Sequence, residues 1–198
     1  MKINPWFTKK SWAEISKSAL INNLEVIKAY TATTGTLVAP VVKANAYGHG
    51  AELIVPVLEE AGVTYLCVAT IDEAIALRES GAKSEILIFG TTRYEHVPFL
   101  KQYDLTASIV SVSEIQGFAD ASAKTGGEPL TVHIKLDSGM SRLGMLIDPP
   151  NNSKAIEALL AAAGEPALKV AGVYTHLATA DCDLAYAAIQ RERFIATV

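Results

Sequence analysis

Short, nearly continuous apolar runs alternate with helical patterns along this chain, and that alternation restricts its architecture more than any other feature. The runs predict strands over Leu37 to Lys43, Tyr65 to Ala69, Glu85 to Phe89, Leu105 to Val110, Leu130 to Asp137 and Lys169 to His176. A segment containing Trp6 and Trp12 leads into a helix from about Ser16 to Thr31, with Ile15, Ala19, Leu20, Leu24 and Ile27 as its apolar stripe. A second helix follows Gly50 and stops at Gly62, with Pro56 expected to kink it or mark its start. Further helices are predicted over Asp72 to Ser80 and Asn151 to Ala163, and from about Asp183 onward. Another runs to Gly126-Gly127, and Ser111 and Glu114 have capping-box spacing at its start. Runs that are apolar throughout suit parallel strands buried on both faces. Strand–helix alternation therefore predicts an α/β fold with a parallel sheet. An open doubly wound sheet and a (β/α)8 barrel both satisfy this pattern. The doubly wound nucleotide binder should carry a glycine-rich turn after its first strand, and Gly48-His49-Gly50 lacks that spacing.

Composition narrows the function classes. The 198 residues are half hydrophobic, enough for one domain with a large core. No apolar run approaches the roughly 18 residues of a membrane span. Met1 to Trp12 has lysines but no apolar h-region, which argues against a secretory signal. Cys67 and Cys182 form neither a disulfide framework nor a metal-ligand pattern, and Cys67 reads as a buried thiol, so a reducing cytoplasm is expected. A net charge of −4 without a basic stripe argues against nucleic-acid binding.

In a parallel barrel, chemistry sits at the C-terminal ends of the strands. The predicted ends carry Lys43 and Tyr47, then Lys135 and Asp137 followed by Arg142, then His176. Two lysines on buried strands cannot both sit charged and unpaired, so an anion or a covalent modification is expected beside them. A desolvated lysine can form a Schiff base with a carbonyl compound, pyridoxal phosphate being the common partner. Each residue also has a plain structural reading. Lys43 could snorkel, Tyr47 pack its ring, Lys135 point outward between helices, Arg142 sit on the surface and His176 be a satisfied core histidine. Asp137 and Ser138-Gly139 could simply shape a turn, and the spacing of His49 and His133 suggests no metal.

Val41-Val42-Lys43-Ala44-Asn45-Ala46-Tyr47-Gly48-His49-Gly50 closely resembles the cofactor-attachment signature of bacterial alanine racemases. The resemblance continues through Trp12-Ala13-Glu14-Ile15, Lys135 to Gly144 and Thr175 to Asp181, in the family's order and over essentially the whole chain. It implies pyridoxal 5'-phosphate as cofactor and racemisation of L- and D-alanine, an isomerase reaction supplying D-alanine for peptidoglycan. It implies that Lys43 is the Schiff-base lysine and one of two bases, and that Tyr47 contacts the cofactor phosphate. Arg142 would bond near the ring hydroxyl and the substrate carboxylate, Lys135 would be carbamylated, and His176 would join the network on the cofactor's far side.

The resemblance implies an eight-stranded barrel followed by a β domain, whereas residues 1–198 hold about six of the eight βα units. The expectation is a TIM-type barrel domain truncated within its last helix, with the opposing base, phosphate loops and β domain outside it. A homodimer is expected for the full-length enzyme, and for the isolated chain instability or association and poor activity. Three other readings stay open: a serine or broad-specificity racemase, a non-catalytic pyridoxal-phosphate homeostasis barrel, and an inactive remnant.

Overall fold

Eight residues, Leu130–Asp137, form the longest strand and the spine of the fold. Val132, Ile134 and Leu136 are fully buried along it. A computed structural model describes residues 11–148 and 152–198; Trp6 and Asn151 lie outside the described residues. In chain order the elements are α1 (Lys17–Thr31), α2 (Lys43–Tyr47), α3 (Ala51–Glu60), β1 (Tyr65–Val68), α4 (Ile71–Glu79), β2 (Glu85–Ile88) and α5 (Val97–Gln102). There follow β3 (Ala107–Ile109), α6 (Glu114–Thr125), β4 (Leu130–Asp137), β5 (Met145–Leu146), α7 (Ser153–Gly164), β6 (Leu168–Tyr174) and α8 (Leu184–Ile195).

All pairings are parallel. β1 pairs β2, and β4 pairs β3, β6 and, at its C-terminal end, β5. Single bridges from Val41 to Cys67 and from Leu87 to Thr106 join the successive strands into one arc. Strands alternate with helices, except that the short β5 follows β4 directly, so the architecture is α/β with about six of the eight units of a TIM-type barrel. The core runs through Leu66, Ile86, Ile88, Ile109 and Ile134 on the strands and Leu100 and Phe118 on the helices.

Several expectations are corrected. Leu37 to Lys43 is not a full strand, because only Val41 pairs. Pro40 has no N–H to give a ladder, and Leu37 is 72% exposed. The β6 strand is only partly buried, because among the described residues nothing pairs with its outer edge. Glu114 does not complete a capping box with Ser111; its carboxyl accepts from Val110 N at 2.9 Å. The stripe on α1 buries Leu24 but leaves Ile15 and Ile27 exposed, with α3 packed against one side of that helix. Pro56 sits inside a continuous α3, and α5 and β5 add two elements the apolar pattern did not reveal.

The residues after Lys43 turn the other way. Ala44, Asn45, Ala46 and Tyr47 have φ of 51°, 54°, 54° and 54°, one turn of left-handed helix. L-residues disfavour this by about 1–2 kcal/mol each. Two side chains hold the turn in place. Asn45 Oδ1 accepts from Ala51 N at 2.8 Å, and Glu73 Oε1 accepts from Ala44 N at 2.7 Å.

Candidate active site

The left-handed turn puts Lys43 at the C-terminal end of the first run, where the strand ends converge. A cleft of about 300 Å³ opens there. Lys43, Tyr47, Lys135, Arg142 and His176 all line it, so the five residues singled out in sequence are brought together. Phe89, Gly90 and Tyr174 complete its floor. Gly90 is required by close approach, since a Cβ there would meet the Ala69 carbonyl oxygen at 2.4 Å. A larger hollow, about 600 Å³, lies at the other end of the strands. Its Lys101 is already engaged, donating to the Ser122 and Gly126 carbonyls at 2.9 and 2.8 Å.

Charge distinguishes the cleft. None of Lys43, Lys135 and Arg142 forms an ion pair among the described residues. Lys43 Nζ lies 5.8 Å from the centre of the Tyr47 ring, while Tyr47 itself remains 61% exposed. Lys135 is 5% exposed, with Nζ 4.6 Å from the Tyr174 ring centre. Burial and then Arg142 push its pKa down, against the pull of Asp137. Partial burial lowers the pKa of His176, and Arg142, Lys135 and Lys43 lower it further. A cleft walled by unpaired cations favours a bound anion, and a depressed amine pKa favours the neutral, nucleophilic form.

Beneath the cleft lies a polar layer. The hydroxyl of Tyr174 shares a 2.7 Å hydrogen bond with Ser108 Oγ, which donates to the Ile88 carbonyl at 2.6 Å. Burial pushes the Tyr174 phenol up to about 12. Tyr65 Oη and His133 Nε2 are 3.1 Å apart, so His133 is a structural partner here. A register shift in β6 lies beside it, and Gly172 leaves the space its ring occupies.

Two loops carry Arg142 and His176, and α8 fastens both. Gln190, fully buried, accepts from Ala178 N at 2.7 Å and donates to His176 O at 3.3 Å and Ser138 Oγ at 3.4 Å. Tyr186 Oη donates to Gly139 O at 2.8 Å. Asp137 Oδ1 accepts from Gly139 N and Ser141 N, so Asp137 shapes the turn leading to Arg142. His49 Nδ1 lies 2.8 Å from Ala46 O, within the left-handed turn. Among the described residues no cluster of His, Cys, Asp or Glu has metal-binding geometry. No helix among the described residues is long and apolar enough to cross a membrane.

Tyr174, Glu73 and Gln190 were not singled out in sequence. Tyr174 ends β6 and stands two residues before His176, a spacing that on the strand predicted over Lys169 to His176 puts side chains on one face. Thr70-Ile71-Asp72-Glu73 has capping-box spacing, and Gln190 interrupts the buried stripe of α8.

Comparison with known proteins agrees with this arrangement. An alanine racemase of Nostoc sp. is 40% identical over 178 residues, 89% of this chain and 45% of the relative. A serine/alanine racemase of Enterococcus gallinarum is 40% identical over 173 residues, 87% of this chain and 23% of its own. The solved alanine racemase of Clostridium difficile 630 superposes with a TM-score of 0.88 at 31% identity, covering 96% of this chain and 49% of that one. The chain thus spans about half the length of the alanine racemases it matches. Residues 15–198 match the family described as alanine racemase, N-terminal domain, and the chain belongs to that family.

Proposed function

We propose that residues 1–198 form the pyridoxal-phosphate-binding barrel portion of an amino-acid racemase that interconverts L- and D-alanine. The observation that carries this reading is the gathering of Lys43, Lys135 and Arg142, without counter-ions among the described residues, around one cleft. The donor set suits pyridoxal phosphate. It offers an amine for an aldehyde, an exposed phenol and a guanidinium for anionic oxygens, and the Phe89 ring beside a flat ligand. When bound, the cofactor supplies an aldehyde and an electron-withdrawing ring that acidifies an amino acid's α-carbon.

In this reading Lys43 anchors the cofactor and moves a proton at Nζ on one face of the substrate. The opposing base comes from residues outside this chain. Tyr47 donates its hydroxyl to the phosphate, and Arg142 pairs with the substrate carboxylate as planar guanidinium groups do. His176, its pKa depressed, stays uncharged at neutral pH and offers one donor and one acceptor. Lys135 is carbamylated: its neutral amine adds carbon dioxide, forming a C–N bond and releasing one proton. The resulting anion removes a buried positive charge beside Arg142. The complete enzyme is a cytoplasmic homodimer whose product serves cell-wall synthesis.

Borohydride reduction in the presence of pyridoxal phosphate tests the assignment, with a trapped adduct expected on Lys43. Lys43→Ala should abolish both the adduct and racemisation, measured by the interconversion of D- and L-alanine. Substantial turnover in that variant would overturn the role. The Enterococcus relative keeps serine as a second substrate reading, and comparing turnover of the two amino acids decides between them.

A further inference from the structure

Glu73 stands on α4, outside the cleft lining, yet its carboxyl group reaches the lysine-bearing turn. Oε2 accepts from Ala69 N at 2.8 Å and Thr70 N at 3.1 Å, while Glu73 N donates to Thr70 Oγ1 at 3.3 Å. Those contacts make a capping box for α4. A capping box uses only one carboxyl oxygen. The other, Oε1, accepts from Ala44 N at 2.7 Å. Ala44 immediately follows Lys43 and is the first residue of the left-handed turn. One side chain therefore ties the β1–α4 junction to the backbone joining Lys43 to its turn. Tyr47 closes that same turn, so both residues depend on its geometry.

We propose that Glu73 is a positioning residue for Lys43 and Tyr47, holding the left-handed turn so that amine and phenol address the same ligand. The proposal rests on the reading of Lys43 as the pyridoxal-phosphate lysine. Glutamine at position 73 has one carbonyl oxygen, so one of the two sets of N–H groups would face an amide donor instead.

The test uses the protein in its complete native form and titrates the cofactor-free protein with pyridoxal phosphate. Affinity is read from visible absorbance, and thermal unfolding is followed in parallel. Glu73→Gln should weaken binding roughly tenfold, the loss expected for a charge-assisted hydrogen bond. Thr70→Ala removes the hydroxyl cap of α4 but leaves the contact to Ala44; it should lower the melting temperature and keep affinity within about twofold. Ala44→Gly in the Glu73→Gln background should recover most of the lost affinity, because glycine adopts positive φ without strain. A capping role alone would not be rescued at position 44.

Affinity unchanged in Glu73→Gln, equal weakening by Thr70→Ala, or no rescue by Ala44→Gly would each overturn the proposal. Should Glu73→Gln not fold, Glu73→Asp replaces it; its shorter side chain keeps the charge but cannot span both sites, and the same outcomes decide. Failure of the unaltered protein to form a borohydride-trapped adduct on Lys43 removes the premise, which distinguishes that failure from the others.

Discussion

His133 shows how the polar layer under the cleft couples to pH. Burial lowers its pKa from the usual 6.5, with Glu85 acting in the opposite direction. A histidine depressed in the folded state binds fewer protons there than in the unfolded chain, so stability rises with pH. The contribution is complete above the ordinary histidine value of about 6.5 and is lost as pH falls from there through the depressed folded-state pKa. His176 shifts the same way but is exposed to solvent, so it contributes less. Urea unfolding at several pH values between about 5 and 7.5 should show stability falling toward acid, and His133→Gln should flatten that slope. At this scale the cleft was largely legible. Lys43, Tyr47, Lys135, Arg142 and His176 sit at strand ends within recognisable blocks. Glu73 was not, because nothing in a local pattern says that a helix-capping carboxyl will also reach a residue 29 positions away.

Among the elements, α8 has a second task beyond packing. Its Gln190 holds the backbone on either side of Leu177, just after His176, and its Arg193 donates to Ser138 O at 3.2 Å. Gln190→Leu keeps the approximate volume but strands the Ala178 N–H and the His176 carbonyl. It should cost about 2–3 kcal/mol in urea unfolding and lower racemisation in the complete enzyme. Burial explains why elements differed in legibility. β4 was read with its observed bounds because most of it is enclosed by β3 and β6 and its apolar pattern is strong. The run from Leu37 was overread, since apolar content alone does not reveal that Pro40 interrupts the ladder. The six-residue helix α5 escaped notice because only Val97 and Leu100 mark its buried face.

The molecule as a whole is an arc of parallel strands whose helices follow in order, with the cleft at the end where the chain repeatedly leaves the sheet. Relatives of this chain are about twice as long, and the outer edge of β6 has no partner among the described residues. The left-handed turn gives this arrangement an order in time. A free peptide spanning Lys43 to Gly50 has no reason to curl left, and the contacts that reverse it come from Glu73 and Ala51. The Asn45 contact needs the first turn of α3, and the Glu73 contact exists only after α4 has docked. During refolding, pulsed hydrogen exchange should find the Ala44, Ala46 and Gly48 amides gaining protection later than those of β1 and α4. Simultaneous protection would mean the turn is locally encoded. With Lys43 in its proposed role, the scaffold is then finished before the amine is aimed, so a nascent chain passes through its sticky, half-paired stages without an organised nucleophile on display.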